Sequence, residues 1–514
     1  HARGAVRDAR AGGAGAMTAA ARTHGAGVDL AWLLGGEAGV PRVAVRDLTL
    51  DSRAVGRGDA FVAVRGHAAH GLDHAADAAA RGATVVLFDP AEGREPPALP
   101  LDVTAVRVPG LRRRLGEVAD RFYGAPSTRV EVAGVTGTNG KTTCAWLLSQ
   151  AWGTDGAYVG TLGAGPTGAV AAGTHTTPDV ISVHRLLRDL HAAGARRIAM
   201  EVSSHALDQG RVDAVRIPVA GFTNLTRDHL DYHGTMEAYG AAKERLFACR
   251  GVAHAVLNVA DACGRAIAGR LPSGVRLTVV HAGDATVSAD RWVVARAVRC
   301  VPGGLELDGD THEGAFALRS PLIGEFNAEN LVVVLGMLLA GGLPLRGAVA
   351  ALEAAVAPPG RMETFPLRSG ALLVVDYAHT PDALDKALAA LRGHCTGRLW
   401  TVFGCGGERD PGKRPQMAAI AEARSDAVVV TDDNPRGEDA DRIVAQILAG
   451  FVGRVPVQVE RDRASAIRLA ARDARAGDAI LVAGKGHEDY QLVGAERRAY
   501  SDRAEARRLQ EAAA

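Results

Sequence analysis

The stretch RVEVAGVTGTNGKTTCAWLLSQAW, residues 129–152, leaves few backbones open. Val130, Val132, Val135 and Thr136 favour a buried strand, Gly137 to Gly140 make a glycine-rich turn, and from Lys141 the apolar residues recur at helical spacing. A strand that enters a helix through so short a turn opens a β-α unit, and the strand that follows must lie parallel to the first. Turns of this kind bind phosphate. Glycines let backbone N–H groups curl around the anion, and the helix N-terminus adds partial positive charge. Gly137, Thr138, Asn139, Gly140 and Thr143 would line a nucleotide, Lys141 would place a point charge on its terminal phosphates, and Thr142 would offer a hydroxyl to Mg2+. A Gly-Lys-Thr turn alone is common by chance, and Val135 stands where the standard spacing has its first glycine. The flanking strand and helix are what make this a nucleotide signal.

The same alternation runs through the chain. Residues 28–128 mix short strands such as DAFVAV with the helical stretch DHAADAAARGA and end near GAPST. Residues 129–357 add the strands RRIAMEV, IPVAGFT and HAVLNV, and VAPPGRME at 356–363 punctuates the next boundary. In residues 358–514 the strands ALLVVD, RLWTVFG, DAVVVTD and DAILVAG alternate with helices that begin near Pro381, Gly412 and Glu438. The expected fold is α/β in three domains, with a P-loop-type parallel sheet in the centre and a Rossmann-like domain at the C-terminus. Ligands then gather at the carboxyl ends of the strands. Residues 1–27 read as a disordered leader, with Met17 as the expected native start.

Composition narrows the partners. A net charge of +1 gives no electrostatic case for nucleic acid or a membrane surface. Six cysteines without CxxC pairing read as separate thiols in a reducing compartment. The longest apolar stretch, LVVVLGMLLAGGLPL at 331–345, is too short to span a bilayer and reads as a core helix. The N-terminal stretch has no continuous apolar region of the signal-peptide kind, so the expected location is the cytoplasm.

Lysine is the rare residue. Only five of the 59 basic residues are lysine: Lys141, Lys243, Lys386, Lys413 and Lys485. Where arginine fills almost every basic position, a lysine that persists asks for chemistry arginine lacks. Lys243 follows MEVSSHAL, which puts Glu201 at a strand end, and TNLTRDHLDYHG, which carries Asp228, His229, Asp231 and His233. Singly, these read as a cap, a buried histidine and an exposed helix residue. Together, downstream of a phosphate loop, they read as a metal site, because a nucleoside triphosphate needs Mg2+ and a ligase often needs a second metal at the accepting carboxylate.

The ordered series GTNGKTT, MEVSSHAL, NLTRDHLDYHG, YGAAKERLF, GEFNAEN, GRME, DYAHTPD, DNPR and GKGHEDYQ resembles the Mur ligase family from about residue 45 to 505. Within that family it is similar to the MurE type, which adds the third amino acid of the peptidoglycan stem peptide. The resemblance implies an N-terminal UDP-sugar-binding domain, an ATP-dependent amide ligase reaction and two magnesium sites. It also implies that Lys243 is carbamylated by CO2 and joins Glu201 and His229 around the metals. A neutral lysine amine can attack CO2 and become an anionic oxygen ligand, whereas the arginine guanidinium stays protonated and has no such amine. The same logic extends to Lys141, but Lys413 and Lys485 fall outside it.

By resemblance, Leu50, Ser52, His67, Thr176, Thr177, Ser203, Gln209 and Arg211 hold UDP-N-acetylmuramoyl-L-alanyl-D-glutamate, and His175 stands where relatives often carry asparagine. Asn327, Arg361, Asp376 and His379 join the phosphate loop around ATP. Arg409, Asp433, Asn434, Pro435, Arg436, Gly484 and Glu488 receive the incoming amino acid. Diaminopimelate differs from lysine by a distal carboxylate, which Arg436 can bind bidentately, and Glu488 would take the distal ammonium. Taken alone, DNPR is ordinary turn chemistry. The expected substrate is meso-2,6-diaminopimelate, with L-lysine and LL-diaminopimelate as alternatives. A folylpolyglutamate synthase or a non-catalytic sugar-nucleotide binder would fit the fold but not the full residue set. Partners are expected to be these small molecules, with other cell-wall synthesis enzymes as further contacts.

Overall fold

The structure, a computed structural model, describes residues 27–511 except 38, 67, 68, 174 and 284–288. The expected leader and His67 therefore lie outside the described residues, apart from Gly27. Among the described residues three larger sheets carry the fold, beside two two-stranded ones. The N-terminal sheet has four parallel strands, Leu48–Thr49, Ala60–Ala63, Val85–Phe88 and Thr104–Arg107.

The central sheet has ten strands. At its heart Glu131–Thr136 lies between Arg197–Glu201 and Val219–Phe222, parallel to both. Its buried residues pack on two faces, one covered by the helices Lys141–Ala151 and Phe326–Ala340 and the other by Val180–Ala192. The helix Phe326–Ala340 contains most of the predicted core stretch and is buried on nearly all sides. Each large apolar side chain so buried contributes about 1.5–3 kcal/mol.

Purely parallel sheets were the expectation, and the central sheet departs from it. Arg291–Val301, Gly304–Thr311 and Gly314–Ser320 form an antiparallel meander that extends one edge, and Gly163–Pro166 pairs antiparallel at the other. The meander alternates buried and solvent-facing positions, with arginine and acidic residues on the outer face, and so lacks the continuous apolar run of a buried parallel strand.

The C-terminal sheet orders its strands Glu363–Pro366, Leu372–Asp376, Ala479–Ala483, Leu399–Phe403, Ala427–Val430 and Val457–Val459. Only the first is antiparallel to its neighbour. Arg463 and Asp502, both fully buried, pair through two 2.8 Å bonds, and Arg463 also donates to the Ala483 carbonyl. This pair ties the last helix, Asp502–Glu511, to the strand end that carries Gly484. Among the described residues no helix is long and apolar enough to cross a membrane.

Candidate active site

The phosphate loop joins the central strand at Thr136 to the helix that starts at Lys141. Its shape is imposed by the neighbouring loop. Asn139 N–H donates to Asn224 Oδ1 at 3.0 Å, Thr138 N–H to the Asn224 carbonyl at 2.8 Å, and Thr223 Oγ1 to the Asn139 carbonyl at 2.6 Å. Gly140 has φ +85°, and a Cβ there would overlap Asn330 Oδ1, so the turn tolerates only glycine at this point. Asn330 Nδ2 in turn donates to Asn327 Oδ1 at 2.8 Å, which brings one predicted ATP residue under the loop. Thr143 lies in the first turn of the helix.

Both predicted lysines reach the same atom. Lys141 Nζ donates to the Gly137 carbonyl and to the Thr138 carbonyl, each at 2.8 Å, and Lys243 Nζ donates to the Gly137 carbonyl at 2.7 Å. The bland expectation of an exposed helix residue does not hold for Lys243. It is 1% exposed, on the inner face of the helix Met236–Glu244, with the Tyr239 ring 4.3 Å from its Nζ. Burial, reinforced by the charge of Lys141, pushes the Lys243 ammonium down to about 6, so at neutral pH the group is largely an uncharged amine. Burial also lowers Lys141, against the pull of Glu201.

Glu201, the last residue of its strand, is fully buried beside the loop. Its Oε2 accepts from Thr142 Oγ1 at 2.9 Å and Thr161 Oγ1 at 3.2 Å, and its Oε1 accepts from Thr161 N–H at 2.9 Å and from the Tyr158 hydroxyl. Hydroxyl and carboxylate oxygens are the donors Mg2+ prefers, and Thr142 and Glu201 bring one of each together. His229 is exposed, in the left-handed region at φ +51°, with Asp228 3.5 Å away and its ring against His205. Among the described residues no three His, Cys, Asp or Glu side chains form a group able to hold a metal.

The predicted sugar-nucleotide residues fall in two places. Thr177 Oγ1 donates to the Glu201 carbonyl and accepts from Ser203 N–H, Arg211 donates to the Thr177 carbonyl and to Gln209 Oε1, and Thr176 Oγ1 lies 3.1 Å from Thr161 Oγ1. These five residues therefore form one continuous network beside Glu201. Leu50 and Ser52 sit apart, at the end of the first N-terminal strand and the start of the turn Ser52–Ala54. The helix Val180–Ala192 links the two places, since Val180 and Ile181 enter the N-terminal core and Arg185 donates to the Leu48 carbonyl.

Arg361 connects the central and C-terminal sheets. Its guanidinium lies over the Tyr377 ring, 4.8 Å from the centroid, and is close enough to Lys141 to help lower that ammonium. Asp376 accepts Met362 N–H and Ala378 N–H, at 2.8 and 2.9 Å. His379 follows on the same loop, and its carbonyl accepts from Lys413 Nζ at 2.8 Å.

Three of the predicted amino-acid residues, Asp433, Asn434 and Glu488, converge on a lysine that resemblance left unexplained. Lys485, fully buried, donates to Asn434 Oδ1 and Glu488 Oε2, each at 3.1 Å, and lies 3.5 Å from Asp433 Oδ1. Asn434 Nδ2 closes the ring to Glu488 Oε2 at 3.1 Å. Gly484, just before this lysine, donates its N–H to the Asp376 carbonyl. Arg436 follows the buried Pro435 at φ +54°, held there by Arg436 N–H to the Leu492 carbonyl and Gly494 N–H to the Arg436 carbonyl. Arg409 is exposed on the adjacent loop, next to Glu408, which is also left-handed at φ +54°. Sequence reasoning missed Tyr158, Thr161, Thr223 and Asn330. Thr223 opens TNLTRDHLDYHG and Asn330 ends GEFNAEN, but nothing local marks either as shaping the loop, and Tyr158 and Thr161 lie in no such motif.

Because the Lys243 pKa is lower folded than unfolded, the unfolded chain binds the extra proton between about pH 6 and the ordinary lysine value. Stability from this group therefore rises with pH across that window and is flat below it. Lys243→Met is expected to remove that slope. Thermal unfolding of both proteins, compared from pH 6 to pH 9 in CO2-depleted, metal-free buffer, measures it.

Three family models match in order: the Mur ligase family catalytic domain at residues 44–123, the Mur ligase middle domain at 135–338, and the Mur ligase glutamate ligase domain at 360–486. The chain is 51% identical over 466 residues to the UDP-N-acetylmuramoyl-L-alanyl-D-glutamate--2,6-diaminopimelate ligase of Xanthomonas campestris pv. campestris strain 8004, covering 90% of this chain and 93% of that protein. It is 47% identical to the protein of the same name from Pseudomonas aeruginosa, covering 90% and 94%. A solved structure of a ligase of that name superposes with a TM-score of 0.71 at 34% identity, covering 95% of this chain and 99% of that one. The chain belongs to the Mur ligase family.

Proposed function

We propose that the chain is an ATP-dependent ligase that joins 2,6-diaminopimelate to the D-glutamyl side-chain carboxylate of UDP-N-acetylmuramoyl-L-alanyl-D-glutamate, in peptidoglycan precursor synthesis. The observation that carries this reading is the buried ring of Asn434, Lys485 and Glu488 next to Arg436, at the carboxyl end of the C-terminal sheet. Relatives of this name at about half identity over nine-tenths of the chain support it. On this reading residues 28–128 bind the sugar nucleotide, 129–357 bind ATP and carry out phosphoryl transfer, and 358–514 receive the amino acid.

The chemistry divides into two displacements. A carboxylate oxygen of the D-glutamyl side chain attacks the γ-phosphorus of ATP, ADP leaves, and an acyl phosphate remains. The amine of diaminopimelate then attacks the acyl carbon, and the tetrahedral adduct loses phosphate and a proton to give the amide. The phosphate loop holds the nucleotide through its N–H groups, and Lys141, released from the Gly137 and Thr138 carbonyls, follows the charge on the γ-phosphate. Thr142 and Glu201, joined as the resemblance implies by His229 and a carbamylated Lys243, would hold magnesium, which would neutralise charge on the phosphates. The neutral Lys243 amine suits that modification. It attacks CO2, forms an N–C bond, and releases its proton to leave an anionic carbamate.

Thr176, Thr177, Ser203, Gln209 and Arg211 orient the peptide carboxylate beside Glu201, so that attack begins from a bound geometry. Arg436 pairs the distal carboxylate of diaminopimelate and Glu488 its distal ammonium. Arg409 adds a second cation, and Asp433 completes the charge balance around Lys485.

Lys243→Ala is expected to abolish nearly all turnover, and Lys243→Arg to do almost as badly despite keeping the charge. Acetate added to the alanine variant should restore part of the activity. Normal turnover in the arginine variant would end the carbamate reading.

Arg436→Ala leaves a substrate carboxylate desolvated without its partner, a loss on the order of 2–5 kcal/mol. The diaminopimelate KM should rise by tens- to thousands-fold, about tenfold per 1.4 kcal/mol. The KM values for ATP and the sugar nucleotide should stay within about threefold on the same scale. An unchanged diaminopimelate KM would make Arg436 a residue of the turn only.

A further inference from the structure

Two loops carry the amino-acid residues, one after the strand Leu399–Phe403 with Arg409, the other after the adjacent strand Ala427–Val430 with Asp433 to Arg436. One ion pair joins them. Arg414, in the first turn of the helix Lys413–Arg424, is completely buried, and its Nη1 and Nη2 each lie 2.7 Å from an oxygen of Glu438. The same Nη2 donates to the Gly406 carbonyl at 3.1 Å, and Nη1 reaches Gln446 Oε1 at 2.5 Å. Glu438 Oε2 also accepts Glu408 N–H at 3.1 Å. The guanidinium and the carboxylate thus each hold the 406–408 loop, and the carboxylate belongs to the loop that bears Arg436.

Arg436 depends on this seam. Its Nη1 donates to the Gly407 carbonyl at 2.8 Å, while Gly407 N–H donates to the Asn434 carbonyl at 2.9 Å. A Cβ at Gly407 would overlap the Pro435 carbonyl, so the loops touch backbone to backbone. Arg436 is therefore located by a loop it does not belong to, and Arg414–Glu438 locates that loop.

Stability alone does not account for such a pair. Arg414 is buried and Glu438 is 21% exposed, and for charges so largely withdrawn from water desolvation offsets much of the attraction. What the pair supplies is geometry: a planar two-bond fork fixes the angle between two loops as well as their distance. We propose that Arg414 and Glu438 are positioning residues that set the place of the Arg436 guanidinium and thereby the selectivity of the site for an amino acid with a distal carboxylate. This rests on the reading of Arg436 given above. A guanidinium displaced by about 1 Å can lose on the order of a hundredfold in effectiveness.

The test is a double-mutant cycle of Glu438→Gln and Arg436→Ala, with steady-state KM and kcat for diaminopimelate and KM for ATP. Glu438→Gln alone should raise the diaminopimelate KM on the order of ten- to a hundredfold, with kcat and the ATP KM within about threefold. In the Arg436→Ala background it should add little, because the group it positions is gone. An unchanged KM, a fall in kcat alone, or equal rises in both backgrounds would overturn the proposal. If Arg436→Ala itself leaves the diaminopimelate KM unchanged, the reading of Arg436 fails first, and the pair is then positioning nothing. Should Glu438→Gln not fold, Arg414→Lys replaces it in the cycle. It keeps the cation, loses the fork, and is expected to move KM in the same direction and with the same non-additivity.

Discussion

Two lysines share one carbonyl oxygen, that of Gly137, and much of the central site follows from that arrangement. Lys141 comes from the helix that closes the phosphate loop, and Lys243 from a helix about a hundred residues later. Their Nζ atoms can be no farther apart than their two bonds to that oxygen allow. Two unit charges at such a distance repel by about 3–4 kcal/mol at the effective dielectric of a protein. The repulsion is relieved when one proton leaves; burial lowers both ammonium groups, the charge of Lys141 lowers Lys243 further, and Glu201 and Asp228 pull Lys141 the other way. One contact thus binds the helix Met236–Glu244 to the phosphate loop and holds the amine against the Gly137 carbonyl. Arginine at 243 could make the contact but not lose the proton.

The strained backbone follows the same map. Among the described residues six non-glycine positions are left-handed, and four of them fall at or next to residues singled out for function. They are His229, Met362 beside Arg361, Glu408 beside Arg409, and Arg436. Each such position costs on the order of 1–3 kcal/mol and persists only where the surroundings over-determine it. At Arg436 the determining contacts are the Leu492 and Gly494 backbone and the Gly407 carbonyl. In the C-terminal sheet the buried cations Lys485, Arg463 and Arg414 act as internal struts. They hold the Asn434–Glu488 ring, the strand end at Ala483, and the loops at 406–408 and 433–438.

What the sequence made readable was local. The phosphate loop, the parallel strands, and Glu201 at a strand end all follow from patterns a few residues long, and the structure has them as expected. The antiparallel meander of 291–320 was not readable as part of this sheet, because its alternation suits any half-exposed strand. Nor could sequence reveal that Tyr158 and Thr161 converge on Glu201, or that Thr223 shapes the phosphate loop, since those contacts join residues 40 or more positions apart. The burial of Lys243 was equally hidden, because its helix has the composition of a surface helix. Lys413 and Lys485 find their account only in three dimensions, one on the His379 carbonyl and the other inside the amino-acid loops.

Catalysis by this chain comes down to which amine completes the reaction. Phosphate release from ATP in the presence of UDP-N-acetylmuramoyl-L-alanyl-D-glutamate, with diaminopimelate, lysine or ornithine supplied in turn, measures that directly. Sustained release with diaminopimelate, and at most a small fraction of that rate with lysine or ornithine, is the expected result. Equal rates with all three, or release that ignores the amino acid altogether, would contradict a ligase whose selectivity rests on a distal carboxylate.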